Sequence, residues 1–472
     1  MNLSGGKTGS ESQLKASLLV ITYFKFYHHR RFQAPIAALR LVIMVQKNDS
    51  RESKQPAGFI LYTRIITYKL LEVTSKDTMD AVRNPFAPGA GSRPPELAGR
   101  EAILQDAETA IQRALIGKPS RSQILLGLRG VGKTVLLNKI EEMAETAGHV
   151  TSAIEAPEGK TLSELLVPKI NQALRKLSIS ENAKARVQKA LQALRSFASA
   201  FKVSYGDTSI SVDPEVGVAD SGEIEEDLPE LFIRVGEAAK AAGKAWTLLI
   251  DEVQYLRSED LAALIVAIHK ANQKNLPVLF FGAGLPQVAA LSGNAKSYAE
   301  RLFHYPAVGA LEAVDAETAI RQPIEDQDEN IDDDAITEIL EKTKGYPYFL
   351  QEWGYQCWNI AAGPRITLED AVKAAGEATK RLDEGFFKVR FDRLTLKERE
   401  YVIALAKLGT GPYRSSDVAD ALNETLQSLG PRRATIISKG MIYSPSHGDI
   451  AFTVPMFSEY LIRNYVEKAG KP

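Results

Sequence analysis

Gly127-Leu128-Arg129-Gly130-Val131-Gly132-Lys133-Thr134 follows the pattern G-x-x-x-x-G-K-T, and both flanks suit it. Ser122 to Leu126 is a short apolar run that reads as a buried strand. Val135 to Glu145 sets Val135, Leu136, Ile140 and Met143 at helical spacing. Strand, glycine-rich turn and helix together make a phosphate-binding loop, because each fixed residue has a physical task. The glycines let the backbone turn, so that N–H groups from Gly127 through Arg129, Gly130, Val131 and Gly132 to Val135 meet phosphate oxygens. The helix N-terminus adds a partial positive charge. Lys133 is placed to reach the outer phosphates of a nucleoside triphosphate and to serve in catalysis, and Thr134 to set its hydroxyl on Mg²⁺. The bland alternative is a glycine-rich turn with an incidental Lys-Thr; the strand before it and the helix after it weigh against that.

A second stretch, Ala245-Trp246-Thr247-Leu248-Leu249-Ile250-Asp251-Glu252, is a buried strand ending in two carboxylates. Downstream of a phosphate loop, Asp251 is expected in the Mg²⁺ shell and Glu252 to orient or deprotonate an attacking water. The competing reading is an acidic turn that caps the next helix. Ligands of open α/β sheets lie beyond the carboxyl ends of the strands, so both motifs converge on one nucleotide. Further strands are expected at Val150 to Ala156, at Pro277 to Phe281 with Gly282-Ala283-Gly284 at its end, and at Tyr305 to Leu311. Residues 157–222 read as an insertion offering a partner surface. It holds amphipathic helices at 162–177 and 183–201 and a hairpin about Gly206-Asp207. The Pro- and Gly-rich stretch 84–95 is a linker, and Ala98 and Arg100 beyond it are candidates for the base pocket.

The phosphate loop, the Leu-Leu-Ile-Asp-Glu strand, the Gly-Ala-Gly strand end and Glu300-Arg301-Leu302-Phe303 come in the order of the AAA+ ATPases. Over residues 84 to 467 the chain resembles the branch related to origin-recognition initiators and to STAND switch ATPases. The resemblance implies a P-loop α/β fold: a three-layer core with a five-stranded parallel sheet, a helical lid, and ATP as ligand. By position Arg301 resembles the arginine finger, which acts from a neighbouring subunit in a homo-oligomer; pairing with Glu300 or a lid carboxylate is the alternative. Two departures favour a slow switch over a fast hydrolase. The fourth strand ends in Gly282-Ala283-Gly284, without a polar sensor. The lid motif Gly345-Tyr346-Pro347-Tyr348-Phe349-Leu350-Gln351 has no arginine and looks like the Gly-x-Pro lid of STAND proteins, in which the proline, here Pro347, senses the nucleotide.

The rest of the chain sets the domain plan. Its 472 residues suggest two to four domains, and a formal charge of −1 offers no global field for nucleic acid. The single cysteine, Cys357, excludes an intrachain disulfide and reads as buried filler. No apolar stretch is long and clean enough to span a bilayer, so a cytoplasmic protein with no membrane partner is expected. Residues 1–78 carry 12 Lys and Arg against 5 Asp and Glu. Three readings compete for them: an upstream extension with Met79 as the true start, a disordered basic arm, or a small interaction domain. The ATPase core is expected over 79–312 and the helical lid over 313–390, with Trp353 and Trp358 in the lid core. Over 393–472 three helices and a hairpin read as a winged helix-turn-helix, resembling the domain after the lid in initiator ATPases. Its third helix, opened by Pro431, would present Arg432, Arg433 and Lys439 to double-stranded DNA. Contact with a protein partner and a purely structural role stay open beside that. Two functions follow: an ATP-driven switch acting on DNA, or a STAND-like signalling or scaffold ATPase.

Overall fold

Alternation along the strands builds the core of the computed structural model, which describes residues 79–467 apart from Ala90, Arg93, 204–212 and Thr410. The expectations for residues 1–78, and most of the hairpin about Gly206-Asp207, lie outside the described residues. Helix α1 (Glu101–Leu115) precedes β1 (Ser122–Leu126), α2 (Lys133–Thr146) and β2 (Val150–Glu155). Next come α3 (Leu162–Leu177), α4 (Lys184–Ala200), α5 (Ile224–Ala241), β3 (Trp246–Asp251), α6 (Ser258–Gln273) and β4 (Val278–Gly284). After α7 (Val288–Ala295) and α8 (Ala299–Leu302), β5 (Phe303–His304) closes a five-stranded sheet of order β2-β3-β4-β1-β5, all pairs parallel. Every residue of β3 and β4 is buried, as a parallel sheet covered on both faces requires.

Successive strand residues point to opposite faces, and the two cores divide accordingly. Leu125, Leu249, Leu279 and Phe281 join α1 and α2 on one side. Ile124, Leu248, Ile250 and Phe280 join α3, α4, α5 and α6 on the other. The layers are therefore helix, sheet, helix. The inserted helices α3 and α4 bury their apolar faces in the second core, where Leu166, Ile170, Leu174 and Phe197 are fully enclosed. A capping box between Thr161 and Glu164 starts α3.

The last strand departs from expectation. It lies at Phe303–His304, and the predicted stretch Tyr305 to Leu311 keeps only a bridge between Leu126 and Ala307. Pro306 has no N–H to give a ladder, although its carbonyl still accepts from Leu126 N–H at 2.9 Å.

The region expected to form the lid follows as α9 (Ala313–Glu325), β6 (Asn330–Ile331), α10 (Asp333–Thr343), α11 (Pro347–Ile360), β7 (Arg365–Ile366) and α12 (Leu368–Arg381). Trp353 and Trp358 are buried in it, and enclosure pushes the Cys357 thiol up to about 12. The predicted linker is not free. Asn84 donates to Tyr355 O and Asn359 Oδ1, each at 3.1 Å, and Phe86 fills the space beside Gly354, where a Cβ would sit 2.6 Å from its ring.

A π-helical turn, Leu382–Phe387, leads from α12 into α13 (Lys388–Asp392). Beyond it come α14 (Leu396–Leu408), β8 (Tyr413–Arg414), α15 (Ser415–Leu422), α16 (Leu426–Ser438), β9 (Ile442–Tyr443), β10 (Asp449–Phe452) and α17 (Phe457–Leu461). The expected hairpin is present, and β8 adds a third antiparallel strand in the order β8-β10-β9. Helix α16 starts earlier than Pro431 suggests, because Thr425 caps it by accepting from Ser428 N–H at 3.2 Å. Pro431 is thus inside the helix rather than in its first turn. No helix among the described residues is long and apolar enough to cross a membrane.

Candidate functional site

The C-terminal ends of β1, β3 and β4 bring the two sequence motifs together. Gly127 N–H donates to Gly284 O at 3.1 Å, which pins the start of the loop to the end of β4. A Cβ on Gly127 would lie 2.1 Å from Val308 O, so only glycine passes there. Gly130 and Gly132 have φ of +84° and +92°, in the left-handed region. Val131 is buried behind them. Gly132 is the N-cap of α2 and offers no capping side chain, so the first N–H groups of that helix, at Lys133, Thr134 and Val135, keep their capacity for an anion.

Lys133 is buried, and its Nζ donates to Leu128 O at 2.9 Å. Burial lowers its pKa, against the pull of Glu252 and Asp251. Thr134 Oγ1 donates to Asp251 Oδ2 at 2.6 Å. A hydroxyl and a carboxylate in contact at the head of α2 form an oxygen donor set suited to Mg²⁺. Burial raises the Asp251 pKa, while Thr134 and the Glu252 N–H, which donates at 2.8 Å, hold it back.

Glu252 has φ of +55°, an uncommon conformation for a non-glycine residue, which turns its side chain out at the strand end. Gln254 holds that side chain by an Nε2 hydrogen bond to Glu252 Oε2, and its own Oε1 accepts from Leu285 N–H at 3.1 Å. The strand end Gly282-Ala283-Gly284 has a packing reason. A Cβ on Gly284 would sit 2.7 Å from Val288 and 2.9 Å from Gln254 Oε1, so the amide of Gln254 occupies the space of a side chain there. Sequence reading missed Gln254.

The lid motif lies over the loop. Pro347 is the first residue of α11, and its neighbours make the contacts. Tyr348 N–H donates to Gly130 O at 3.1 Å, and the Tyr346 hydroxyl donates to Arg129 O. Arg129 in turn donates to the Tyr255 hydroxyl. Neither tyrosine of the lid motif was singled out from sequence. Arg100 is the N-cap of α1 and donates to Gly309 O at 2.5 Å; Ala98 beside it is buried.

Two expectations stand apart from this cluster. Arg301 is exposed on α8, and among the described residues its side chain has no hydrogen bond or ion pair, Glu300 included. Arg432, Arg433 and Lys439, the residues expected to face DNA, each have a partner within the chain. Arg432 makes a two-pronged pair with Glu424 at 3.0 and 3.2 Å. Lys439 pairs with Glu398 at 2.6 Å, and Arg433 donates to Ser444 Oγ at 3.1 Å within the hairpin. Arg432→Ala is therefore expected to destabilise the protein by about 1–2 kcal/mol, measured by urea denaturation.

The end of α16 reaches the phosphate loop. A Cβ on Gly440 would lie 2.6 Å from Arg129 Nη2. Ile437 and Ser438 of α16 close a cavity of about 320 Å³ with Glu158, Gln254, Tyr255 and Leu285 of the core.

Residues 96–281 match the family described as AAA ATPase domain, and residues 384–461 match a domain of unknown function, DUF8462. The chain has no match among curated proteins. Among solved structures it is similar to a Walker-type ATPase of Pyrococcus abyssi, at 18% identity and a TM-score of 0.48, covering 78% of this chain and 97% of that one. The Orc1 protein of Aeropyrum pernix, solved in complex with DNA, gives 16% and 0.42 over 82% and 98%. The RuvB Holliday junction branch migration motor of Thermotoga maritima gives 16% and 0.39 over 79% and 98%. The AAA ATPase domain match over residues 96–281 falls on the part of this chain that carries the phosphate loop and the parallel-sheet α/β core.

Proposed function

We propose that the protein is an ATP-binding AAA+ ATPase that works as a slow, nucleotide-driven switch. The observation that carries this reading is the Thr134–Asp251 contact of 2.6 Å at the head of an uncapped helix. The residues fit ATP and Mg²⁺: left-handed glycines shape the cradle, and two oxygen donors meet where the metal belongs. Bound ATP supplies the phosphoanhydride bond, and Mg²⁺ neutralises charge on its oxygens.

Lys133 and the N–H groups of 130–135 hold the phosphates, Thr134 and Asp251 hold the metal, and Glu252 takes the proton of the attacking water. Gln254 positions Glu252. Arg301, exposed on α8, reaches a neighbouring subunit's site as a finger in a homo-oligomer. Slow turnover fits the strand end without a polar side chain and a lid motif without arginine. The division into a core over 79–312, a lid over 313–390 and a winged helix over 393–472 belongs to the same proposal.

The contact of Gly440 with Arg129 gives the switch its moving part, since a changed loop is felt at the end of α16. Hydrogen exchange tests this. With ATP and Mg²⁺, amides 437–443 are expected to exchange at least about threefold faster than without nucleotide; identical rates would sink the switch.

Double-stranded DNA is the second reading, favoured by the helix, strand, helix, helix, strand, strand order from α14 to β10. The internal pairing of Arg432, Arg433 and Lys439 favours a protein partner at that helix instead, as in a signalling or scaffold ATPase. A gel shift over a salt series decides: a shift that weakens with salt supports DNA, and none at low salt excludes it.

A further inference from the structure

Helix α11 is held at its start and along one face. At its start, Tyr348 N–H donates to Gly130 O of the phosphate loop at 3.1 Å. Along the face, residues 79–89 run in the opposite direction to the helix. Trp358 Nε1 donates to Asp80 O at 2.9 Å. Asn84 Nδ2 donates to Tyr355 O and Asn359 Oδ1, each at 3.1 Å. Ala87 N–H donates to Gln351 Oε1 at 3.3 Å, and Gln351 closes the motif 345–351. Positions 351, 355, 358 and 359 recur at three- and four-residue steps, so one face of α11 meets the whole stretch.

Each tie has its own physical reason. Asn84 spends both amide donors on α11, and its Oδ1 accepts from Phe86 N–H at 3.0 Å, which fixes the turn of the chain. Phe86 is 3% exposed and fills the space that glycine leaves at Gly354. Met79 is buried as well. Arg83 donates to Gln327 O and pairs with Glu329 at 3.7 Å, beyond the end of α9. Pro85 and Pro88 restrict the free chain, so less entropy is lost when it docks. The chain then returns to the phosphate loop's helix, where a Cβ on Gly91 would lie 3.8 Å from Thr134 Cγ2. One continuous stretch thus ties α11 to the residue that meets Asp251.

We propose that residues 79–89 are a strap that latches α11 down against the phosphate loop, so that a bound nucleotide leaves only after the strap lets go. This rests on the ATP-binding reading above and adds to it what sets the rate of nucleotide exchange. Asn84 and Phe86 are positioning residues, acting on the nucleotide through α11.

The test is stopped-flow release of a fluorescent N-methylanthraniloyl ATP from the full chain with Mg²⁺, chased with excess ATP. Wild type is compared with Asn84→Ala, Phe86→Ala and Thr161→Ala, the last losing a helix cap on α3. Asn84→Ala and Phe86→Ala are expected to release about tenfold faster, with association changed less than about threefold. Thr161→Ala is expected to release like the wild type, although it too loses stability. Should Phe86→Ala not fold, Asn84→Ala, which keeps the apolar anchor, carries the test. Binding with equal release by wild type and Asn84→Ala, or equal acceleration in Thr161→Ala, would overturn the strap alone. A wild type that binds no nucleotide would bring down the ATP-binding reading and the strap with it.

Discussion

Lys133→Ala is expected to lower ATP affinity by about two to three powers of ten, measured by titration with Mg²⁺ present. The side chain is buried at the head of α2, and burial already disfavours its charged form. A triphosphate restores what burial removes, since its outer oxygens accept charge-assisted hydrogen bonds worth about 1.5–3 kcal/mol each. One to two such bonds, at about 1.4 kcal/mol per factor of ten, give the stated loss. Alanine leaves the glycine backbone and the Thr134–Asp251 contact in place, so far-UV circular dichroism should not change. A variant that binds ATP like the wild type would place the nucleotide elsewhere.

Glu252→Gln should separate binding from turnover. Glutamine is isosteric, its amide oxygen can still accept from Gln254, and its backbone preference at φ +55° is similar. What it loses is the ability to take a proton. General-base removal costs about 10²–10⁴ in rate, so steady-state hydrolysis should fall by that factor while ATP affinity stays within about threefold. Equal hydrolysis by both proteins would remove Glu252 from the chemistry.

These two residues were legible in the sequence because each belongs to a short pattern with local geometry behind it. A loop of eight residues needs only its own glycines and the following helix to form its cradle. A buried strand likewise delivers Asp251 to its end by simple alternation. The central strands were legible for the same reason, through separate apolar runs, while their parallel arrangement came from the resemblance to the AAA+ ATPases.

The parts that escaped depend on residues far apart in the chain. Gln254 matters because β4 ends beside it, and Tyr346 because the lid folds back across 217 positions to Arg129. No local pattern reports either. The partners of the α16 cations escaped for that reason too: Lys439 finds Glu398 across 41 positions. The edge strand was misplaced because Tyr305 to Leu311 has strand composition, while Pro306 lacks the donor that a ladder needs. Strand β8 is only two residues long, too short for any period to show.

The central claim is that one ATP binds at the glycine loop, where Thr134 and Asp251 would hold its Mg²⁺. Isothermal titration of the wild-type chain with ATP, with and without Mg²⁺, addresses it most directly. The account predicts a single site per chain that tightens when Mg²⁺ is added. Absence of binding in both conditions would contradict it.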